Sequence, residues 1–207
     1  MLLSPRHLPE RCFDRNDPSD DAFFYREPRK VVHIDDGAIA ALSDFLAERV
    51  PPGGVYLDLM SSWRSHLPSG LRPRRVIGLG MNAEEMADNP QLDEWVVHNL
   101  NADPKLPFAD QTFDAVTCTV SVQYMTRPLD LFAEINRTLK PGAPCIVSFS
   151  NRCFPQKAIA LWLALTDAQH VELVTGYFGD HWGAVRTWEN VPDGADPLFV
   201  VWANRSR

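Results

Sequence analysis

The sequence has no surplus of basic residues, no long apolar run and no paired-cysteine motif. Its 207 residues include 20 Lys and Arg against 27 Asp and Glu, a net charge of -7. Nucleic-acid binding relies on clustered Lys and Arg to neutralise phosphates, so the composition argues against that class. No stretch of 18 apolar residues occurs, which argues against a membrane-spanning helix. The apolar stretch at the start is too short for a signal peptide.

The four cysteines do not form a CxxC pair, which argues against a zinc or dithiol redox site. Cys118 and Cys145 stand inside apolar, strand-like runs, where free buried thiols are common. We therefore predict no metal site and a reducing, cytoplasmic compartment.

Strand and helix patterns alternate along residues 34–150. A helical pattern covers 34–50, and either Asp35 or Asp36 can cap its first turn. Strand patterns follow at residues 55–59, 74–80, 95–100, 113–122 and 144–151, separated by helical segments and turns. This alternation predicts βαβ units with a parallel sheet.

The pattern changes after residue 150. A helix is predicted over 155–178, and two strand patterns at 183–191 and 197–205 are joined by Pro-Asp-Gly-Ala-Asp, as in a hairpin. The predicted fold is α/β: a Rossmann-like, doubly wound, mostly parallel seven-stranded sheet with an antiparallel C-terminal hairpin. We predict a single domain over 34–207, preceded at 1–33 by an irregular arm or lid held by Phe23, Phe24 and Tyr25.

Residues 106–142 read LPFADQTFDAVTCTVSVQYMTRPLDLFAEINRTLKPG. This stretch resembles the central part of class I S-adenosylmethionine-dependent methyltransferases of the type 11 group, which share LPFxDxxFDxV, a Ser-x-x-Tyr or similar, and ExxRxLKPGG in this order. The stretches DLMSSWRSHLP and HIDDGAIAAL resemble a branch of that family whose cofactor loop lacks glycines. The resemblance implies S-adenosylmethionine as cofactor.

In the family, the first strand ends in an acidic residue and enters a GxGxG loop around the cofactor. Asp58 matches the acidic position, and Met60, Ser62 and Arg64 stand where the glycines would be. A non-Gly residue in a left-handed conformation costs about 1–2 kcal/mol, so we expect the loop to follow a different path.

The prolines and glycine that follow the loop leave room for one or two helical turns. Ser61 and Ser62 can supply hydroxyls to the cofactor. Alternatively, Ser61 simply caps the short helix.

The rest of the cofactor site departs from the family as well. Gly80 ends the second strand, where family members carry an acidic residue for the ribose, and Asn82 can bond only one hydroxyl. Either Asn101 or Asp103 is a candidate for the adenine amino group, and the resemblance implies that Ser121 faces the same crevice. The predicted cofactor-binding residues are Asp58, Met60, Ser61, Ser62, Gly80, Asn82, Asn101, Asp103 and Ser121.

Residues expected to overhang the strand ends are candidates for contacting a methyl acceptor. His33 is a candidate general base, or a structural histidine. Arg29 and Arg152 can hold an anionic group of a small acceptor, or form ordinary ion pairs. The predicted substrate-binding residues are Tyr25, Arg29, Tyr124, Asn151 and Arg152.

The sequence favours a methyltransferase that acts on a small molecule by in-line transfer and relies mainly on positioning. The alternative is a non-catalytic protein with this fold that has lost the cofactor and acts as a binding or assembly factor. A nicotinamide-dependent oxidoreductase is disfavoured because GxGxxG is absent. The acceptor and the oligomeric state stay open.

Overall fold

A computed structural model describes residues 4–207 and contains one seven-stranded sheet. The strand order is β3-β2-β1-β4-β5-β7-β6. All pairs are parallel except β5–β7 and β6–β7, which are antiparallel. The predicted fold class is therefore confirmed. The strands are β1 (Val55–Leu59), β2 (Arg75–Gly80), β3 (Glu94–Val97), β4 (Ala115–Thr119), β5 (Pro144–Phe149), β6 (Arg186–Asn190) and β7 (Leu198–Asn204).

Both faces of the sheet are covered, as a parallel sheet requires. Every residue of β1 is buried. Val55, Leu57 and Leu59 pack into one apolar cluster, and Tyr56 packs into a second cluster. Alternate side chains of a strand point to opposite faces, so the two clusters lie on opposite sides of the sheet.

The helices are α1 (Asp21–Phe24), α2 (Asp36–Arg49), α3 (Ala83–Ala87), α4 (Pro128–Thr138), α5 (Ala160–Ala164) and α6 (Asp167–Tyr177). Asp35 is the residue that caps α2, because its side chain accepts from the Ala38 N–H at 2.8 Å. The single helix predicted over 155–178 is wrong: Thr166 and Gln169 form a capping box that starts α6 separately from α5.

The helical turns predicted between β1 and β2 are also wrong, since residues 60–74 contain no helix. The loop is instead tied to neighbouring segments. Ser61 N donates to Leu79 O at 2.8 Å, and Leu67 exchanges two hydrogen bonds with the Gln91 amide. These bonds use backbone groups that a helix would have used internally.

The family-like stretch is held together by one side chain. Arg137 donates to the carbonyl oxygens of Phe108 and Leu106 and to the carboxylates of Asp110 and Glu134, at 2.7–3.0 Å. The LPFxD and ExxR parts of the pattern are therefore bonded to each other. Because the two parts of the pattern bond to each other in the folded chain, the presence of the pattern in a sequence indicates this fold.

Residues 4–33 run along the main body. They form two 3-10 turns, Pro5–His7 and Glu10–Phe13, and the short helix α1. The segment is anchored by Lys157, whose fully buried ammonium lies 3.0 Å from Asp17 and 3.4 Å from Asp21. Phe23 is 65% exposed, so the prediction that it holds the segment is wrong.

Candidate functional site

A pocket lies at the carboxyl ends of β1, β2 and β4, where open α/β sheets bind ligands. Its volume is about 120 Å³, and residues 21–33 form one of its walls. Twelve of the predicted functional residues line it: Tyr25, Arg29, His33, Asp58, Met60, Ser61, Ser62, Gly80, Asn82, Asn101, Ser121 and Tyr124.

Asp58 lies one residue before the end of β1, and its side chain is buried. Ser61 Oγ and Ser65 Oγ both donate to Asp58 Oδ2, at 2.5 Å and 2.8 Å. Burial raises the pKa of Asp58 to about 6, and the serine hydroxyls oppose that rise. Ser61 therefore stabilises the aspartate, and the hypothesis that it caps a helix is wrong.

The loop keeps one left-handed residue of the glycine path. Met60 has φ 57°, whereas Ser62 and Arg64 do not adopt positive φ. A second left-handed residue, His66 with φ 54°, comes later in the loop. Of the three positions at which the family carries glycine, only Met60 thus has a positive φ. The loop follows a different path, as expected, but Met60 keeps a strained conformation.

Gly80 is tightly enclosed by the same loop. A Cβ at this position would lie 2.2 Å from Ser61 O and 3.1 Å from Met86 Sδ. No side chain fits there unless the loop moves. The loop after β1, which contains no glycine, thus occupies the space that an acidic side chain at the end of β2 would need.

Asn82 has both ends of its amide engaged. Its Oδ1 accepts from Glu85 N at 3.0 Å, which caps α3, and its Nδ2 donates to the carbonyl oxygens of Tyr25 and Arg26. Glu85 is a buried pocket residue that sequence reasoning missed. Acidic residues are common in the first turn of a helix, so the sequence carries no signal that singles it out.

Residues 21–33 bond directly to side chains of the pocket. Arg29 N donates to Glu85 Oε1 at 2.6 Å, and Trp63 Nε1 donates to Val31 O at 3.1 Å. The Arg29 guanidinium itself turns back onto this segment, where it donates to Phe24 O and lies 4.0 Å from the Phe24 ring centroid.

The structure distinguishes the two adenine candidates by position. Asn101 lines the pocket, with its Nδ2 donating to Asp21 and its Oδ1 accepting from Thr126. Asp103 lies outside the pocket lining, and its Oδ1 accepts from Lys105 N. Asn101 is therefore the better placed of the two.

Backbone strain marks the end of β4. Val120 has φ 45°, which is rare for a β-branched residue, and it lines the pocket beside Ser121. The Ser121 hydroxyl donates to Thr119 O at 2.9 Å. Such outliers cluster at functional sites, where the surrounding structure holds them.

Three histidines line the pocket: His33, His66 and His98, whose Nε2 forms a hydrogen bond with Asp103 O. Burial lowers the pKa of His33, and burial lowers the pKa of His66 to about 4, helped by the nearby charge of Arg64. Both imidazoles are therefore neutral near pH 7. Sequence reasoning missed His66, although it belongs to the SHLP stretch that was noted for its family resemblance.

The acceptor-side candidates divide into two groups. Tyr124 lines the pocket, and its hydroxyl accepts from Phe154 N at 2.8 Å. Asn151 and Arg152 lie outside the pocket lining, and Arg152 instead forms an ion pair with Asp196 at 2.7 Å. The prediction that these two residues contact a ligand in the pocket is not supported by their positions.

Neither a metal cluster nor a membrane helix is found in the described part of the chain. Residues 4–207 contain no group of three or more His, Cys, Asp or Glu arranged to hold a metal ion. No helix within the same range is long and apolar enough to cross a membrane.

Known proteins resemble the chain in sequence. The profile described as a methyltransferase domain matches residues 66–147. The ubiquinone/menaquinone biosynthesis C-methyltransferase UbiE of Ruegeria is 31% identical over 178 residues, which is 78% of this chain and 68% of that protein. The chain belongs to the class I S-adenosylmethionine-dependent methyltransferases.

Other methyltransferases agree with this assignment. The malonyl-[acyl-carrier protein] O-methyltransferase of Marinomonas is 32% identical over 184 residues, and the chain spans 64% of its length. A solved S-adenosylmethionine-dependent methyltransferase from Aquifex aeolicus matches 89% of the chain with a TM-score of 0.57 at 18% identity. A putative methyltransferase from Bacillus halodurans gives a TM-score of 0.54 at 12% identity. The solved structures share the fold.

Methyltransferases of this family generally use S-adenosylmethionine, so the pocket can be compared with that cofactor. Small-molecule sites usually enclose about 300–1,000 Å³, well above the 120 Å³ present here. Asn82, Asn101 and Glu85 each bond to residues 21–33. Displacement of that segment would enlarge the pocket and free these polar groups together, so the residues fit a polar, nucleoside-sized cofactor in an opened pocket.

Proposed function

We propose that the protein transfers a methyl group from S-adenosylmethionine to a small-molecule acceptor bound in this pocket. The observation that carries the proposal is the pocket at the carboxyl ends of β1, β2 and β4 in a chain of this family. The net charge of -7 favours a small acceptor over a nucleic acid.

The cofactor would be held by groups from three parts of the chain. The loop after β1 contributes the backbone around Met60 and Ser62, and the segment after β2 contributes Asn82. Asn101 and Ser121 lie toward β4. Asp58 acts indirectly, because its bonds to two serines fix the conformation of the loop.

S-adenosylmethionine supplies a methyl group that is already activated on a sulfonium sulfur. The protein therefore contributes mainly positioning and exclusion of water. Tyr25, Tyr124 and Phe154 provide aromatic walls for an acceptor. His33 and His66 are neutral near pH 7, so either imidazole nitrogen can accept the proton that an oxygen or nitrogen acceptor loses.

Residues 21–33 act as a lid in this proposal. Five of their polar groups bond to the pocket side chains Asn82, Glu85, Trp63 and Asn101. An entering cofactor exchanges those bonds for its own and needs the volume that the segment occupies. Lid opening is therefore part of cofactor binding.

The experiment is isothermal calorimetry with S-adenosylhomocysteine, the product form of the cofactor, with NAD as the control ligand. We expect saturable 1:1 binding of S-adenosylhomocysteine, and a gain in unfolding free energy of about 2.7 kcal/mol at 100 times the dissociation constant. Hydrogen exchange on the same samples should change within residues 21–33. A protein that ignores S-adenosylmethionine and S-adenosylhomocysteine at millimolar concentration would refute the proposal.

One observation favours a second candidate function. No helix follows the loop after β1, so the helix N-terminus that would offer free N–H groups to an anionic cofactor is missing from residues 60–74. A non-catalytic binding or assembly protein would tolerate this loss. Insensitivity of the melting temperature to S-adenosylmethionine, S-adenosylhomocysteine and NAD would support this second function.

A further inference from the structure

Three carboxylates line the pocket, and two of them are already committed to other groups. Asp21 lies 2.6 Å from Arg15 and 3.4 Å from Lys157, so two cations neutralise it. Asp58 accepts from two serine hydroxyls beneath the pocket floor. Both carboxylates are therefore already compensated by groups of the protein.

Glu85 is the third carboxylate and differs from both. It is 5% exposed and forms no ion pair with any residue in 4–207. Its partners are two neutral donors, Ser62 Oγ at 2.5 Å and Arg29 N at 2.6 Å. Burying a charge without a counter-charge is costly, which distinguishes Glu85 from the other two carboxylates of the pocket.

The fold fixes where this carboxylate lies. Gly80 leaves no room for a side chain at the end of β2, because a Cβ there would lie 2.2 Å from Ser61 O. Asn82 then caps α3 by accepting from Glu85 N, which sets the first helical turn against the pocket. The acidic group on this side of the pocket is thus supplied from the helix rather than from the strand end.

Each carboxylate oxygen can accept more than one hydrogen bond. Displacement of residues 21–33 removes the bond from Arg29 N and leaves Ser62 as the remaining partner of Glu85. The freed carboxylate then offers two oxygens side by side to a ligand that carries two adjacent donors.

We propose that Glu85 binds the two adjacent ribose hydroxyls of the cofactor and exchanges its bond with Arg29 for them. This inference rests on the proposed function, since it names a contact of the same cofactor. A carboxylate with neutral partners suits hydroxyl donors, because charge-assisted hydrogen bonds are about twice as strong as neutral ones.

The test is calorimetry of Glu85→Gln with S-adenosylhomocysteine. We expect binding about 10- to 100-fold weaker than in the wild type, the range for losing hydrogen bonds to a charged group. The matched control is Glu94→Gln, whose exposed carboxylate lies 3.2 Å from Arg75 and outside the pocket lining. The control should bind like the wild type. Glu85→Asp keeps the charge and should bind more tightly than Glu85→Gln.

Two ligand analogues identify the part of the cofactor involved. The 2′-deoxy analogue of S-adenosylhomocysteine should bind the wild type more weakly. Its further loss in Glu85→Gln should be smaller than the loss for S-adenosylhomocysteine, because only the bond to the 3′-hydroxyl is left to weaken. Methylthioadenosine, which lacks the amino acid, should show the full loss in Glu85→Gln. A loss that vanishes with methylthioadenosine would mean that Glu85 binds the ammonium group and would overturn the inference.

The two proposals fail in distinguishable ways. A wild-type protein that does not bind S-adenosylhomocysteine would refute the proposed function, and this inference with it. A wild-type protein that binds while Glu85→Gln binds equally well would refute this inference alone.

Discussion

Substituting Gly80 by alanine tests whether the loop after β1 excludes a side chain from the end of β2. The added Cβ would lie 2.2 Å from Ser61 O, and that oxygen must retreat by about 1 Å to reach the 3.4 Å of an ordinary contact. Ser61 resists the shift because its N–H bonds Leu79 O and its hydroxyl bonds Asp58. Overpacking of this kind costs about 2–3 kcal/mol.

For a domain of this size that cost lowers the melting temperature by about 4–12 °C, which calorimetry or circular dichroism measures directly. Gly70→Ala is the matched control, because a Cβ there meets nothing within 4 Å. Its stability should be unchanged or higher by up to about 1 kcal/mol. If Gly80→Ala melts like the wild type, or if both variants lose the same stability, then the loop does not exclude a side chain at position 80.

Two further predictions concern buried charges. The folded-state pKa of Asp58 is about 6 against 3.8 when unperturbed, so the free energy of unfolding should fall by up to about 3 kcal/mol as pH rises from about 4 to about 6. Asp58→Asn should flatten that fall in urea titrations, because the amide does not titrate in this pH range. An unchanged pH profile would contradict this. Lys157→Met should cost about 3–5 kcal/mol in urea titrations by leaving Asp21 short of one cation, whereas Lys30→Met, at an exposed pair, should cost at most about 1 kcal/mol. An equal loss of unfolding free energy in the two lysine variants would show that burying the ion pair of Lys157 does not increase its contribution to stability.

Much of the fold could be read from local patterns. The alternation of apolar runs with helical segments identified the sheet, and the hairpin signal at residues 192–196 identified its antiparallel edge. Helix boundaries were less predictable. The segment 155–178 reads as one amphipathic pattern, yet the capping box at Thr166 divides it, and the sequence does not reveal which of two competing local bonds forms.

The sequence predicted where the site lies in the fold but not which hydrogen bonds its residues form. Asp58, Gly80 and Asn82 all line the pocket, as expected from the strand ends that precede them. Their hydrogen bonds were not predictable, because Asn82 bonds to residues more than 50 positions away. Glu85 was missed for the same reason: its burial depends on contacts with Ser62 and Arg29 from two other segments.

The sequence by itself determined the family and the fold, because the residues that define the family pattern bond to one another. Arg137 joins Glu134 to the LPFxD segment, so the pattern and the structure that it stabilises are local to residues 106–142. Only the tertiary structure decided what the glycine-free loop does. Its serines turn inward to Asp58, its backbone fills the space at Gly80, and Glu85 faces the pocket from the next helix. Those relations depend on the packing of segments that are distant in sequence, which no local pattern records.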